Sequence, residues 1–147
     1  MRKLDLIVIH CSATRANQMY SSEQLESDHR QRGFQCCGYH FYVTRDGEVH
    51  RMRPVCVAGA HALGYNEHSI GVCYEGGLDS NGQPADTRTK VQRQMLYLLV
   101  MELKRKYGIK RVVGHRDLSP DLNGDGVISK DEWAKFCPCF DVSAEDY

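Results

Sequence analysis

The sequence has no excess of charge of either sign, because 19 lysines and arginines balance 19 aspartates and glutamates. It also has no apolar run that approaches the roughly 18 residues of a membrane span. The balanced charge gives no drive toward nucleic acid or acidic lipid, and insertion into a membrane is not expected. Internal repeats and low-complexity segments are absent as well. The 147 residues are therefore expected to form one domain, residues 1–147, with a monomer as the default state.

The N-terminal residues do not have the pattern of a secretory signal peptide. Arg2-Lys3 precedes an apolar stretch, but that stretch is short, is interrupted by Asp5 and has no small-residue cleavage site. We interpret it as the first strand, so that synthesis is expected to take place in the cytoplasm.

The seven cysteines are an odd number, which favours free thiols over a disulfide framework in a chain without an export signal. Cys11, Cys56 and Cys73 are predicted to be small buried side chains. Two of the seven histidines, His29 on a polar helix and His50 in a hairpin, are predicted to be exposed.

Apolar patterning predicts strands that alternate with helices. The predicted strands cover residues 4–10, 39–44, 49–53, 69–74 and 111–114. Asp46-Gly47 indicates a hairpin turn. One helix is predicted to begin after Ser21 as N-cap and to run to Gly33, and a second to run from Thr89 until Gly108 stops it. This order predicts an α/β domain with a central mixed β-sheet flanked by α-helices.

Three short segments supply residues that can bind one metal ion. Two β-branched runs, residues 7–9 and 112–114, end at His10 and His115, and a third segment contains Cys137. The end of a buried strand is where a sheet can present a side chain to a cleft. Two imidazoles and one thiolate make three zinc ligands and leave the fourth tetrahedral position open for water or substrate, as in a catalytic site. Because a single histidine at a strand end is more often structural, the prediction depends on the combination.

Seven motifs follow one another along nearly the whole chain. They are Val8-Ile9-His10-Cys11-Ser12-Ala13-Thr14, Gly38-Tyr39-His40-Phe41, Arg45-Asp46-Gly47, Ala60-His61-Ala62-Leu63-Gly64-Tyr65-Asn66, Ser69-Ile70-Gly71-Val72-Cys73, Gly114-His115-Arg116-Asp117 and Lys135-Phe136-Cys137-Pro138. With these motifs the chain resembles the type 2 zinc-dependent N-acetylmuramoyl-L-alanine amidases, close to the small phage lysozyme-amidases, and more distantly the peptidoglycan recognition proteins. The resemblance implies a hydrolase that binds peptidoglycan and cuts the amide bond between N-acetylmuramic acid and L-alanine, as in cell-wall lysis by an endolysin.

The resemblance also implies roles for single residues. The implied zinc ligands are His10, His115 and Cys137. Tyr39 matches the catalytic tyrosine and Lys135 the catalytic lysine, and either can stabilise the oxyanion of the tetrahedral intermediate or, for Tyr39, orient the water. His61 and Asn66 lie in the segment that lines the substrate groove. Cys139 is the alternative thiol, since only alignment on the Lys-x-Cys-Pro pattern selects Cys137.

Residues 121–132 depart from the shorter phage pattern and match the twelve positions of an EF-hand loop. The calcium ligands predicted by this pattern are Asp121, Asn123, Asp125, Val127 through its carbonyl, and Glu132, with Ser129 direct or through water. Ser119-Pro120 rules out a preceding helix, so a solvated acidic turn is the alternative. A short helix through Trp133 is expected after the loop, where bound calcium would stabilise the approach to Lys135 and Cys137.

Two other functions compete with hydrolysis. A non-catalytic peptidoglycan-binding module is disfavoured by the presence of Cys137 together with Tyr39 and Lys135. A domain merely stabilised by zinc would need four protein ligands, and the sequence offers no convincing fourth. Because peptidoglycan lies outside the cytoplasmic membrane, the enzyme is expected to reach it after lysis or secretion.

Overall fold

The computed structural model describes residues 1–147, which form one α/β domain around a five-stranded mixed sheet. The strands of this sheet are β1 (Leu6–Cys11), β3 (Phe41–Val43), β4 (Val49–Arg51), β5 (Ser69–Tyr74) and β7 (Arg111–Gly114). They follow the order β4-β3-β5-β1-β7 across the sheet. All five predicted strands are therefore present, and the predicted fold class is confirmed.

The centre of the sheet is parallel. β1 lies between β5 and β7 and runs in the same direction as both. Residues 6–9 of β1, a continuous apolar run, are at most 1% exposed. A strand covered on both faces has this sequence pattern, because no side chain of it points toward water.

The mixed character comes from the hairpin of β3 and β4, whose strands pair antiparallel while β3 pairs parallel with β5. Gly47 in the predicted turn has a φ of 86°, a conformation that favours glycine. Both hairpin strands are shorter than the predicted ranges of residues 39–44 and 49–53.

Two helices cover the two faces of the sheet. Helix α1, Ser22–Gln31, begins at Ser21, whose side chain accepts a hydrogen bond from the Gln24 N–H. Helix α2, Lys90–Tyr107, begins with a full capping box at Thr89 and ends at Gly108 in the left-handed conformation. Helix α1 therefore begins at the predicted N-cap residue, and α2 begins at Thr89, the predicted start of its helical pattern.

Alternation along β3 shows which helix covers which face. Val43 belongs to the main core, where α2 contributes Leu96 and Val100, whereas the neighbouring Tyr42 packs with Leu25 of α1 in a smaller cluster. Since successive side chains of a strand point to opposite faces, α1 and α2 lie on opposite sides of the sheet. Neither helix is long and apolar enough to cross a bilayer.

The sequence did not predict a second, two-stranded sheet in which β2, Thr14–Arg15, pairs with β6, Gly77–Leu78. Three predictions of exposure were wrong. Cys56 is exposed rather than buried, and His29 is only 5% exposed although it lies on a polar helix. His50 is half-buried rather than exposed. Cys11 and Cys73 are buried as predicted, and all seven cysteines are free thiols.

Candidate functional site

The sheet brings the two predicted histidine ligands together at one edge. Ile9 of β1 pairs with Gly114, the last residue of β7, so that His10 and His115 each follow a paired residue of neighbouring parallel strands. Their ring centroids are 4.5 Å apart. The carboxyl ends of parallel strands lie at the same edge of a sheet, which is the usual place for a ligand site in this architecture.

Cys137 joins these histidines from the C-terminal segment. The ligand atoms of His10, His115 and Cys137 all lie within 4.8 Å of one another, and Cys137 Sγ is 3.8 Å from His10 Nδ1. Nitrogen and sulfur ligands of one tetrahedral zinc ion are separated by about 3.6 Å. Two imidazoles and a thiolate are also ligands that zinc prefers, and no fourth His, Cys, Asp or Glu belongs to the group. The arrangement is consistent with a zinc site that keeps one open position.

Several backbone contacts hold Cys137 in place. The Arg116 N–H donates to the Cys137 carbonyl at 2.8 Å, and the Cys11 N–H approaches Cys137 Sγ at 3.2 Å. Pro138 packs so closely on Gly114 that a Cβ there would lie 2.8 Å from the proline ring. A glycine after the apolar run of β7 therefore allows the thiol segment to reach the histidines.

Cys139, the alternative thiol, does not belong to the group of three. Its Sγ lies 3.9 Å from Cys11 Sγ instead. Of the two neighbouring thiols, the structure thus brings only Cys137 to the histidines.

Burial keeps both histidines of the group neutral. It lowers the pKa of His10, which is 1% exposed, well below 6.5, and His61, His115 and Lys135 add to the effect through their charges. Burial, and then the charge of Lys135, lowers the pKa of His115 to about 4. Both rings therefore present a free lone pair at neutral pH, which is the form that binds a metal ion.

Tyr39 lies beside the group, with its ring centroid 4.8 Å from that of His10. Desolvation raises the pKa of Tyr39 well above 10. Its hydroxyl consequently keeps its proton at neutral pH and acts as a hydrogen-bond donor.

Lys135 lies on the wall of a cleft of about 390 Å³ that is also lined by His115. The cleft is lined by His61, Ala62, Leu63, Tyr65, His115, Leu118, Ser119, Pro120, Ala134 and Lys135. A larger depression of about 650 Å³ between residues 19–23 and the β3–β4 hairpin contains none of the predicted zinc or catalytic residues. The chemistry of the side chains, rather than cavity size, singles out the cleft beside Lys135.

The two predicted groove residues differ in position. His61 lines the cleft with one edge but is only 8% exposed, and its Nδ1 lies 2.9 Å from Nε2 of His10. Asn66 supports the backbone, because its Oδ1 accepts hydrogen bonds from the N–H groups of His61 and Ala62 at 2.8 and 2.9 Å. Contact of either residue with substrate stays a prediction.

Two buried histidines, for which no role in the site was predicted, lie around Tyr39. His29 Nδ1 accepts a hydrogen bond at 2.7 Å from the N–H of Gly38, the residue before Tyr39. His40 Nδ1 accepts one at 3.0 Å from the N–H of Gly71 in β5. The Gly-Tyr-His motif could have indicated that His40 lies near the site, since His40 directly follows Tyr39 in the sequence.

The predicted calcium residues come together only in part. Carboxylate oxygens of Asp121, Asp125 and Glu132 lie within 4.8 Å of one another. Asp121 accepts hydrogen bonds from two backbone N–H groups of the loop, and Glu132 from three. The short helix expected through Trp133 was wrong, because only a 3₁₀ turn, Lys130–Glu132, follows the loop. The loop has the sequence of an EF-hand without its flanking helices, and calcium stays a prediction.

Similar proteins share both sequence and fold with this chain. It is 36% identical over 136 residues to the endolysin of Klebsiella phage KP32, covering 92% of this chain and 81% of that protein. It is also 36% identical over 138 residues to the endolysin of Escherichia phage T7, covering 94% and 82%. Among solved structures, the N-acetylmuramoyl-L-alanine amidase LysC from Clostridium intestinale URNW superposes with a TM-score of 0.71 at 29% identity, covering 93% of this chain and 77% of that one.

A family model described as N-acetylmuramoyl-L-alanine amidase matches residues 1–131. This range includes His10, Tyr39 and His115, while Lys135 and Cys137 follow it. Because the match extends over most of the domain, the chain belongs to the N-acetylmuramoyl-L-alanine amidase family.

Proposed function

We propose that this protein hydrolyses the amide bond between N-acetylmuramic acid and L-alanine in peptidoglycan, with a zinc ion held by His10, His115 and Cys137. The observation that carries the proposal is the convergence of these three ligand atoms within 4.8 Å at the edge of the sheet, beside Tyr39 and a cleft. Membership of the amidase family supplies the substrate class.

A bound zinc ion would supply Lewis-acid polarisation of the scissile carbonyl and a water nucleophile with a pKa near neutrality. The protein contributes ligands that are ready to bind. Lowered pKa values leave His10 and His115 unprotonated at neutral pH, so that neither has to lose a proton first. The sheet brings both residues to the same edge, since they follow paired residues of neighbouring strands.

Lys135 and Tyr39 would act on the charge that develops during attack on the carbonyl. The ammonium group of Lys135 lies on the cleft wall that also includes His115, where it can attract an oxyanion. The Tyr39 hydroxyl keeps its proton, so it would donate a hydrogen bond to the attacking water or to the intermediate rather than act as a base.

Mass spectrometry of the soluble products from purified peptidoglycan tests this function. The zinc-loaded protein should release stem peptides with a free N-terminal alanine, and Cys137→Ser should release none. Cys56→Ser is the matched control, because Cys56 is exposed, and it should behave like the unchanged protein. Co-sedimentation with the wall without any released peptide would contradict hydrolysis and favour the binding module.

Calcium at residues 121–132 is a separate prediction that the catalytic proposal does not need. Support for it comes from the EF-hand pattern and from the proximity of Asp121, Asp125 and Glu132. Synthesis in the cytoplasm and a monomeric state likewise stay predictions from the sequence.

A further inference from the structure

His10 uses its two ring nitrogens in different directions. Nδ1 lies 3.8 Å from Cys137 Sγ and therefore faces the position of the proposed metal. Nε2 lies 2.9 Å from Nδ1 of His61. The two rings are nearly perpendicular, at 88°, and both are buried.

These contacts define one pattern of protons. A neutral imidazole that offers the lone pair of Nδ1 to a metal carries its proton on Nε2. His10 Nε2–H then donates to His61 Nδ1, which requires the proton of His61 to be on its own Nε2. That nitrogen lies 3.2 Å from Ser69 Oγ, so it also has an acceptor. The opposite pattern would place the proton of His10 on the nitrogen that faces the metal position.

The fold holds the ring of His61 firmly. A Cβ at Gly71 of β5 would lie 2.7 Å from ring carbons of His61, and one at Gly59 would lie 2.6 Å from its Cδ2. The absence of a side chain at these two glycines thus leaves room for the ring of His61. Asn66 fixes the backbone on which the ring is mounted by accepting two N–H groups.

We propose that His61 is a positioning residue: by accepting a hydrogen bond from Nε2–H of His10, and with Ser69 orienting it in turn, His61 holds His10 in the tautomer and ring orientation that present Nδ1 to zinc. The inference rests on the proposed zinc site. It gives His61 a role through His10, whereas the sequence analysis predicted contact with substrate.

A neutral imidazole partner differs from the carboxylate that often accepts a hydrogen bond from a metal-binding histidine. It adds no negative charge to the ligand set, so its effect should be on orientation. Loss of such a partner lowers metal affinity by roughly 10- to 100-fold in other metalloproteins. The same range is expected when His61 is replaced by a residue that cannot accept a hydrogen bond.

Zinc affinity, measured by competition with a chromophoric chelator, tests the inference. His61→Leu should bind zinc about 10- to 100-fold more weakly than the unchanged protein. His61→Asn should stay within about threefold, because its carbonyl oxygen can take the acceptor position of Nδ1. Ser69→Ala should show a smaller loss than His61→Leu. His50→Leu, in the distant hairpin, is the matched control and should leave the affinity unchanged.

Two further readouts separate positioning from other roles. In the cobalt-substituted protein, the visible absorption bands should change in His61→Leu and remain in His61→Asn, since they report the geometry of the ligands. A residue that only contacts substrate would instead raise KM without altering zinc affinity or the cobalt spectrum, and that result would overturn the inference.

The possible failures can be told apart. If the unchanged protein itself does not bind zinc, the proposed function is wrong and the inference falls with it. If the unchanged protein binds zinc and a folded His61→Leu binds it equally well, only the inference is wrong. Should His61→Leu not fold, equal affinity and equal cobalt spectra of Ser69→Ala and the unchanged protein would overturn it.

Discussion

Two regions of the molecule gather three potential metal ligands within the same 4.8 Å, and they do so in different ways. At the edge of the sheet, His10, His115 and Cys137 come from chain segments far apart in the sequence. In the loop of residues 121–132, Asp121, Asp125 and Glu132 come from twelve consecutive positions. The first group is shaped by strand pairing and a buried core, the second by local turns.

The difference lies in what occupies the ligand atoms. In the strand-end group, which consists of His10, His115 and Cys137, the two imidazole rings have lowered pKa values and keep their metal-facing lone pairs free. Carboxylates of the loop already accept backbone N–H groups, and burial protects only Glu132 among them. A specific sequence pattern therefore does not by itself imply an organised site, while a dispersed set of residues can form one when a sheet aligns them.

The largest effect on zinc binding is expected from replacing Cys137, and its neighbour Cys139 provides the comparison. Cys137→Ser is expected to abolish activity and to weaken zinc binding by more than the roughly 100-fold seen when an outer partner is lost. Cys139→Ser should change zinc affinity little, because its sulfur lies near Cys11. Chelator competition on both variants measures this, and equal losses would show that Cys139 shares the metal.

Removal of the donors beside the strand-end group should have the next largest effect. Tyr39→Phe and Lys135→Met are each expected to lower kcat by roughly 100-fold or more, the usual loss for one oxyanion donor. Zinc affinity should stay the same, since neither side chain is a ligand. Steady-state kinetics on soluble peptidoglycan fragments measures the change, with Tyr97→Phe on the exposed side of α2 as control.

An unchanged kcat in Tyr39→Phe would contradict the catalytic role. Tyr39 would then be an aromatic side chain that only packs beside His10.

Acid should destabilise the buried histidines around the strand-end group and the loop in different pH ranges. Burial lowers the pKa of His40 to about 4, and protonation of Nδ1 would also remove the acceptor of the Gly71 N–H. Since the unfolded state takes up a proton near pH 6.5, stability is fully present above that pH and is lost as the pH falls toward 4. The loss from this residue is about 2 to 3 kcal/mol.

In the loop, backbone hydrogen bonds lower the pKa of Glu132 from 4.5. Its contribution is therefore retained until the pH falls below that value. Urea unfolding of metal-free protein between pH 7.5 and 4.5 separates the ranges, with His40→Asn as the variant that keeps an acceptor and does not titrate. Equal pH dependence of His40→Asn and the unchanged protein would show that His40 is not the source.

Calcium should have the smallest effect. If the loop binds calcium, millimolar calcium should stabilise the protein by about 1 kcal/mol, which corresponds to a rise in Tm of roughly 2–4 °C for a chain of this size. Asp125→Ala should lose the rise, and Asp131→Ala, a carboxylate of the same loop outside the predicted ligand set, should keep it. Activity at constant zinc should follow the same pattern, and equal activity of Asp125→Ala and unchanged protein at all calcium concentrations would refute the prediction.

Much of the sheet and part of the site could be predicted because each depends on local pattern. The apolar run that ends at His10 is buried on both faces, and a short, β-branched run of this kind is typical of a central parallel strand. Ser21 and Thr89 have the side chains that cap a helix, and the helices begin there. Each histidine also directly follows its apolar run in the sequence, so His10 and His115 could be predicted as ligands from local pattern.

The remainder depends on contacts that no local pattern encodes. His29 lies on a helix with a polar sequence, yet it is buried because its Nδ1 accepts the N–H of Gly38. The pairing of His61 with His10 crosses 51 positions and requires glycine at 71. The short sheet of β2 and β6 has only two residues in each strand, too few for an alternating pattern to be recognised.

The C-terminal segment that carries Cys137 also has a consequence for protein synthesis. Tyr74 anchors the segment through the Pro138 carbonyl, and Phe140 and Val142 then enter the main core. His10 and Cys137 are 127 positions apart, so the first ligand leaves the ribosome long before the last. A nascent chain can pair its strands before the thiol of Cys137 has been synthesised. If Cys137 is the third zinc ligand, as proposed, then products terminated before residue 137 would still contain the sheet but would be inert toward the cell wall.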